Sequence, residues 1–263
     1  MPFSFPEFLA GRPPSVPDSA ESFRRYLTWG GFPEVVIGDA DPQGYLRTLF
    51  DSVVLRAIVT LHSIRSSTAI YDLLSLLINN TASRFSGRSL ERSLGSLSIA
   101  TIQKFISYFR EAYLVQDLQP YFFKPRMRIK AERKIYAYDN GFISALSQPT
   151  LSNDPRLLEN LVFIELVRRG FKPNFDLFYY QTGVGTEVDF LVRKGTENSE
   201  LIQVAQTLSS LKTRERELRA LHQAAQELKV SKMTIVTLDT EETIRDLGPS
   251  IEVIPCRKWL TKE

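Results

Sequence analysis

The chain has 263 residues, of which 43% are hydrophobic and 24% charged, values typical of a soluble globular protein with room for two or three small domains. It contains no apolar run of the roughly 18–20 residues that a membrane helix needs, and its N-terminus lacks the pattern of a signal peptide. A single cysteine, Cys256, excludes an internal disulfide, and only two histidines, His62 and His222, argue against a zinc site, so we expect a cytoplasmic protein.

Positive charge is concentrated between Arg84 and Lys134. The whole chain has a net charge of +3, but this segment alone carries eleven Lys and Arg residues against four acidic ones, or +7, which leaves −4 for the rest. Such an uneven distribution favours a polyanionic partner for the basic segment. A solvated basic face without a partner is the alternative.

The first predicted domain, residues 1–77, is a helical segment. Three prolines between residues 12 and 18 resist regular structure, because proline fixes φ and lacks an N–H donor. Further along, Gly30, Gly31 and Pro33 must interrupt a helix. Helical spacing then continues in an apolar stripe made of Ile70, Leu73, Leu74 and Leu77.

The second predicted domain, residues 78–150, reads as two helices followed by a basic ribbon. Leu90 and Leu94 mark a short helix that Gly95 ends, and Ser98 can cap the next helix. Residues 113–115 and 134–138 read as strands on either side of the ribbon. The buried stripe of the second helix is predicted to be Ile102, Phe105, Ile106 and Phe109.

This order is typical of a winged helix-turn-helix, in which the second helix enters the major groove and the wing contacts phosphates. The predicted partner is therefore double-stranded DNA. Because winged helices also bind proteins, a protein-interaction or oligomerisation module with an acidic partner is an alternative. The predicted DNA contacts are Gln103, Lys104 and Ser107 on the helix, and Lys124, Arg126, Arg128, Lys130, Arg133 and Lys134 on the wing.

The third predicted domain, residues 151–263, alternates helices and strands. A helix at 156–169 precedes strands at 177–181, 187–192 and 200–205, then a helix at 214–228 and strands at 233–238 and 251–254. This order is that of the PD-(D/E)XK nuclease fold. The predicted fold class is therefore α+β and multidomain, with a helical segment, a winged helix-turn-helix and a PD-(D/E)XK nuclease-like α/β domain.

Enzymes with this last fold hold Mg²⁺ through carboxylates and use a lysine near the attacking water. Asp189, Gln203 and Glu159 occupy the ligand positions, so Mg²⁺ or Mn²⁺ is the predicted ion. Ala205 stands where the lysine belongs, and Lys212 is the substitute that we consider; Lys194 is set aside, because an odd offset from Asp189 puts it on the other face of a strand. The site therefore reads as an impaired nuclease, and its carboxylates as relics or structural groups. A working metal-dependent nuclease is the alternative.

Short motifs along nearly the whole chain resemble those of a prokaryotic family of AAA+-type ATPases that is common in archaea. The matching segments are SFPEFL (4–9), YLTWGGFPEV (26–35), RKIYAYDNG (133–141), LEN (158–160) and EVDF (187–190). Members of that family carry a P-loop ATPase domain, a winged helix and a C-terminal PD-(D/E)XK-like domain. The resemblance implies that this chain corresponds to the part that follows the ATPase core.

The phosphate-binding motif G-x-x-x-x-G-K-[ST] does not occur in this sequence. We therefore expect this chain neither to bind ATP tightly nor to hydrolyse it. The ATPase core was either cut away or is naturally lacking in this relative. The predicted function is the DNA-binding C-terminal part of an AAA+-type ATPase, with a homo-oligomer or a separate ATPase domain as further partners.

Overall fold

The computed structural model describes residues 1–13, 19–38, 41–64, 67–147, 154–245 and 249–262, with the backbone alone at positions 125, 129, 130 and 154. Two compact units divide the chain: Met1–Asp117 with Arg133–Leu151, and Leu118–Glu132 with Ser152–Glu263. The fold is mixed α and β, with helices and two sheets. The division into domains 1–77, 78–150 and 151–263 stays a prediction. In the parts of the chain just given, no helix is long and apolar enough to cross a membrane.

The first unit is mainly helical, and polar caps define where several of its helices begin. The Ser4 hydroxyl accepts the Glu7 N–H while the Glu7 side chain binds back to Ser4, a capping box that satisfies free N–H groups. Its elements are the helices Phe5–Gly11 (α1), Ala20–Trp29 (α2), Pro33–Ile37 (α3), Pro42–Val53 (α4), the π-helical turn Val54–Thr60, Ser67–Asn79 (α5), Gly87–Leu94 (α6), Ile99–Glu111 (α7) and Asn140–Leu146 (α8), and the strands Arg84–Phe85 (β1), Val115–Leu118 (β2) and Arg133–Ala137 (β3).

The helix pair α6 and α7 lies between the strands of a small sheet in chain order, with β1 before the pair and β2 and β3 after it. The strand order of this sheet is β1-β3-β2, with β1 antiparallel to β3. Gly95 ends α6 in the left-handed region and Ser98 caps α7, both as predicted. The predicted strand at 113–115 is wrong, because Tyr113 has φ 53° in the turn that follows α7, and the strand begins at Val115.

The segments of the AAA+-like motifs 26–35 and 133–141 meet inside the first unit. The Asp139 carboxylate accepts the N–H of Gly31 at 2.9 Å and the N–H of Gly141 at 2.7 Å. Gly30 has φ +72°, and a Cβ at this position would overlap the Asp139 carboxylate. The Asn140 side chain donates to the Leu27 carbonyl oxygen at 2.7 Å. These motifs therefore hold the unit together, because only glycine allows the close approach.

Most of the predicted wing belongs to the second unit, whereas Arg133 and Lys134 belong to the first. The basic residues from Lys124 to Lys134 were expected to form a wing that contacts phosphates, but residues 118–132 pack with the later part of the chain. The Tyr121 N–H donates to the Tyr179 carbonyl oxygen at 2.8 Å, and the Gln119 N–H donates to the Asn174 side chain at 2.6 Å. Pro125–Lys130 forms a 3₁₀ helix. The predicted ribbon is therefore wrong up to residue 132, because residues 119–121 pair with Tyr179 at the edge of the second unit's sheet.

The second unit is built on a six-stranded sheet of order β4-β5-β6-β7-β9-β8. Strands β4, β5 and β6 form an antiparallel meander, and β6, β7 and β9 are parallel. Its elements are Asp154–Arg168 (α9), Leu177–Gln181 (β4), Glu187–Lys194 (β5), Glu197–Ala205 (β6), Leu211–Leu228 (α10), Met233–Thr237 (β7), Glu242–Ile244 (β8), Ile251–Pro255 (β9) and Cys256–Thr261 (α11).

Helices cover this sheet because its strands alternate apolar residues towards each face. Phe163 of α9 contacts Phe190 of β5, with ring centres 6.5 Å apart. The apolar stripe of α10 joins Leu201, Ile235 and Val253 in one cluster. In this unit the long helices and the strands β4, β5, β6, β7 and β9 lie where the sequence predicted them, whereas β8 and α11 were not predicted.

Candidate functional site

The exposed side of α7 carries the residues assigned to DNA reading. The predicted buried stripe is confirmed at all four positions, and Gln103 and Lys104 are exposed as predicted. Ser107 is half-buried and donates its hydroxyl to the Lys104 carbonyl oxygen at 2.7 Å. The Lys104 ammonium lies 5.8 Å from the ring centre of Tyr108. Gln103 and Lys104 are therefore accessible to a polyanion, while Ser107 already has a partner.

The basic residues of the 118–132 segment differ in whether their side chains are exposed for contact with DNA. Lys124 and Arg126 are exposed. The Arg128 guanidinium lies 4.5 Å from the ring centre of Phe178 and 5.5 Å from that of Tyr121. Burial lowers the pKa of Arg128. Arg128 therefore packs inside the second unit as a cation–π partner, and we remove it from the DNA contacts.

The last basic residues of the predicted wing are mostly buried or paired within the protein, so they are not accessible to DNA phosphates. Arg133 and Arg110 both donate to the buried Asp117 carboxylate, at 2.9 Å and 3.1 Å. Lys134 is only 2% exposed, and a buried ammonium does not reach a phosphate in solution. We remove Arg133 and Lys134 from the predicted surface, because β3 is buried and a buried charge needs its partner. The Lys130 side chain lies outside the described part of the chain.

Asp189 and Gln203 come together on adjacent antiparallel strands, β5 and β6. The Asp189 N–H donates to Gln203 Oε1 at 3.1 Å, and Asp189 Oδ2 accepts the Val204 N–H at 3.0 Å. Both residues are buried. The side chains thus lock the two strands together, in the way expected for buried polar groups.

Glu217 on α10 completes this cluster and was missed in the sequence. It is 4% exposed, and its Oε2 accepts the Gln203 amide at 2.7 Å. Its Oε1 accepts both Nε and Nη2 of the exposed Arg216, at 3.0 Å and 2.5 Å. The result is a continuous chain of hydrogen bonds from Asp189 through Gln203 and Glu217 to Arg216. The available signal was a carboxylate four residues before Leu221, on the apolar stripe of α10.

The other predicted site residues lie around this chain. Glu159 is half-buried on α9, which packs against β6. Ala205 is buried at the end of β6, so the lysine position of the nuclease motif is filled by a methyl group. Lys212 is exposed in the first turn of α10 and lines a cavity with Arg216. The assignment of Glu159, Asp189, Gln203 and Lys212 as catalytic residues stays a prediction.

The face of β5 on which Lys194 lies stays a prediction. Simple alternation was used to place it on the opposite face from Asp189, but the strand register shifts twice along β5. A bulge changes which face a side chain takes, so an odd offset no longer decides it. Lys194 is exposed at the end of β5, opposite Glu197.

The donor set does not fit a divalent ion in this arrangement. Mg²⁺ and Mn²⁺ need several oxygen ligands turned to one point. The Gln203 oxygen faces the Asp189 N–H, and the Gln203 amide nitrogen faces Glu217. Among the side chains that the structure describes, no three or more of His, Cys, Asp and Glu are grouped to hold a metal. We therefore derive no reaction step through a metal.

Comparison with known protein families identifies two matches along the chain. Residues 20–153, about half of the chain, match the family described as "Domain of unknown function (DUF8612)". The chain belongs to this family. Residues 156–259 match a second family, described as "Domain of unknown function (DUF4143)". The two matches meet between residues 153 and 156.

Two longer proteins are similar in sequence. An uncharacterized protein of Methanocaldococcus jannaschii is 33% identical over 280 residues, which cover 98% of this chain and 62% of that protein. An uncharacterized protein of Haemophilus influenzae is 28% identical over 209 residues, which cover 74% of this chain and 50% of that protein. The chain thus spans between half and two thirds of the length of these relatives.

A solved structure is also similar: a refined half-complex from a tetradecameric assembly of Thermococcus gammatolerans McrB AAA+ hexamers with bound McrC. The identity is 13% and the TM-score is 0.30, with 70% of this chain and 46% of that chain covered. A similarity of this size carries no structural argument.

Proposed function

We propose that this chain is the DNA-binding part of an AAA+-type ATPase protein, and that its second unit is a nuclease-like domain without catalytic activity. The observation that carries the proposal is the order of elements α5, β1, α6, α7, β2 and β3, with a sheet of order β1-β3-β2. This order is the one expected of a winged helix, in which α7 is the helix that enters the major groove.

Charge on the outside of α6 and α7 supports a nucleic-acid partner for the first unit. Arg88 and Arg92 of α6 and Gln103 and Lys104 of α7 are all exposed. Phosphate contacts from such residues position a helix on the duplex, and a side-chain amide such as Gln103 can read a base edge. The proposed interface therefore moves from the wing to the α6–α7 pair.

The second unit supports the nuclease-like part of the proposal by its topology. Helix α9, the meander β4–β6, helix α10 and the parallel strand β7 follow one another as in the PD-(D/E)XK fold. Its inactivity is supported by Gln203, whose oxygen and nitrogen are both engaged in protein hydrogen bonds, and by Ala205 in place of the lysine. A missing cation raises the barrier of phosphodiester cleavage by several kcal/mol.

The AAA+ part of the proposal rests on the motif resemblance and on the matches to the two families. Relatives that are longer than this chain leave room for a further domain. An ATPase domain, or further copies of this chain, are the proposed protein partners, and the cytoplasm is the proposed location.

The test is binding of the full chain to a labelled 20-base-pair duplex, followed by fluorescence anisotropy at several salt concentrations. The Arg92→Glu/Lys104→Glu variant should bind more weakly, and the log–log salt slope should flatten by about 0.9 for each phosphate that the variant no longer neutralises. Arg24→Glu is the matched control, since Arg24 is exposed on α2 of the same unit. An unchanged affinity and slope in the double variant would favour the protein-interaction alternative.

A further inference from the structure

A basic cavity lies at the first turns of α10 in the second unit. Its volume is about 550 Å³, and it is lined by Thr186, Lys212, Thr213, Glu215, Arg216 and Arg219. Small-molecule and cofactor sites typically occupy about 300–1,000 Å³. The cavity is therefore large enough for an anionic group with its substituents.

The lining has an excess of positive charge that the protein does not neutralise. Lys212 and Arg219 are exposed, and neither makes an ion pair within the residues that the structure describes. Glu215 lies between them in sequence, and no ion pair joins it to either one in the described part of the chain. By contrast, Arg214 on the same helix is bound by both oxygens of Glu242, at 2.5 Å and 2.9 Å. Within the lining three cations stand against one carboxylate, so the local potential favours an anion.

The exposed Arg216 is bound on one edge by a buried carboxylate. Its Nε and Nη2 both donate to Oε1 of the buried Glu217, while Nη1 makes none of these bonds. The guanidinium is thus oriented by the protein and keeps a donor edge for a further acceptor. Preorganised arginine is well suited to phosphate, because its fork matches two oxygens.

The opposite wall of the cavity is fixed as well. The hydroxyls of Thr186 and Thr182 lie 2.6 Å apart, and the Thr186 N–H donates to the Thr182 hydroxyl at 3.1 Å. Glu227 of α10 accepts the Gly183 N–H and binds the Tyr180 hydroxyl at 2.6 Å. These bonds tie the turn between β4 and β5 to α10. A rigid wall lowers the cost of ordering a ligand.

We propose that this cavity binds a phosphate group, through Lys212, Arg216 and Arg219. It lies in the second unit and uses none of the residues of the proposed DNA interface on α6 and α7. The phosphate can belong to a nucleic-acid backbone or to a small phosphorylated compound, since both present the same oxygens. The Glu217 carboxylate links the bound phosphate to Gln203 through Arg216.

The experiment uses the full chain and two probes, inorganic pyrophosphate in calorimetry and a labelled 20-base-pair duplex in a salt titration. Lys212→Gln/Arg219→Gln removes two exposed charges and leaves the Arg216–Glu217 pair intact. We expect pyrophosphate binding to weaken on the order of tenfold for each charge removed. Lys194→Gln, an exposed lysine elsewhere in the same unit, is the matched control and should bind as the unmodified chain does.

The two probes separate the sources of the phosphate. A flatter salt slope for the duplex in the double variant, by about 0.9 per phosphate, assigns the phosphate to a nucleic-acid backbone. Weaker pyrophosphate binding with an unchanged duplex slope assigns it to a small compound. The proposal is overturned if neither probe distinguishes the double variant from the control. That result would leave the α6–α7 interface untouched, because its variants lie in the other unit.

Discussion

Replacement of Glu217 by leucine should destabilise the second unit, because this buried carboxylate joins α10 to the sheet. It accepts the Gln203 amide at 2.7 Å and the Arg216 guanidinium at 2.5 Å. Glu217→Leu removes both acceptors and leaves the Gln203 N–H groups without their partner on α10. Glu217→Gln keeps an acceptor for Gln203 and removes only the charge that faces Arg216.

The size of the two effects follows from burial. An unsatisfied buried donor costs about 1–3 kcal/mol, so we expect Glu217→Leu to lower the free energy of unfolding by about 2 kcal/mol. Arg216 is 71% exposed, and an ion pair with an exposed partner is worth less than about 1 kcal/mol. Glu217→Gln should therefore cost less than about 1 kcal/mol.

Urea unfolding followed by the fluorescence of Trp259 measures this difference. Trp259 is buried in the second unit, and a Trp29→Phe background removes the other tryptophan. Glu215→Leu is the control, since Glu215 is exposed on the same helix and should stay within about 0.5 kcal/mol of the parent. A Glu217→Leu variant as stable as the parent would refute the structural role.

Mn²⁺ separates this role from a metal site in the same experiment. An ion at about 100 times its Kd stabilises a folded protein by about 2.7 kcal/mol. We expect no such increase for the parent chain. Stabilisation by Mn²⁺ that disappears in Asp189→Ala would show that these carboxylates hold a metal, contrary to the account given above.

Three further outcomes are expected. Arg128→Ala should lower the free energy of unfolding by about 1–2 kcal/mol in the same urea titration, because the Arg128 guanidinium packs on Phe178. Arg126 is exposed, so Arg126→Ala should change the free energy of unfolding by less than about 0.5 kcal/mol. Arg214 lowers the pKa of Glu242 from the ordinary 4.5, so this pair stabilises the fold above pH 4.5 and ceases to do so as the pH falls through the lowered pKa. Glu242→Gln should therefore make the free energy of unfolding fall less steeply at acid pH, and an unchanged slope would contradict the pairing. Burial raises the pKa of the Cys256 thiol, so a thiol reagent at pH 8 should label Cys256 only when urea has unfolded the protein. Rapid labelling of the native protein would contradict the burial of Cys256.

The strands of the second unit were predictable because their signal is local. Runs such as 177–181 and 233–238 are apolar and bounded by turn residues, so strand and boundaries coincide with β4 and nearly with β7. The buried stripe of α7 was equally local, since helical spacing alone selects Ile102 and Phe109.

The wing could not be predicted from its own residues. Gln119 binds Asn174, which is 55 residues further along the chain, and Arg128 packs on Phe178 of β4. The sequence pattern of a basic ribbon is the same whether the ribbon binds DNA or packs against another part of its own chain. Lys134 had a local warning, since Ile135, Tyr136 and Ala137 after it are apolar and suggest a strand buried on both faces.

The candidate site was predicted in part. Asp189 and Gln203 meet as the strand order required. Glu217 was not predicted, because its partner Gln203 lies 14 residues away on another element. The odd offset between Asp189 and Lys194 does not decide whether they share a face, because the register of β5 shifts against both neighbouring strands and such shifts leave little trace in sequence.

The central claim is that this chain binds duplex DNA and does not cut it. One measurement tests both halves: the purified full chain is incubated with a labelled duplex and Mg²⁺ or Mn²⁺, and bound and cleaved fractions are read from the same sample. The account predicts a salt-sensitive bound fraction and intact DNA. Absence of binding, or cleavage that Asp189→Ala abolishes, would contradict it.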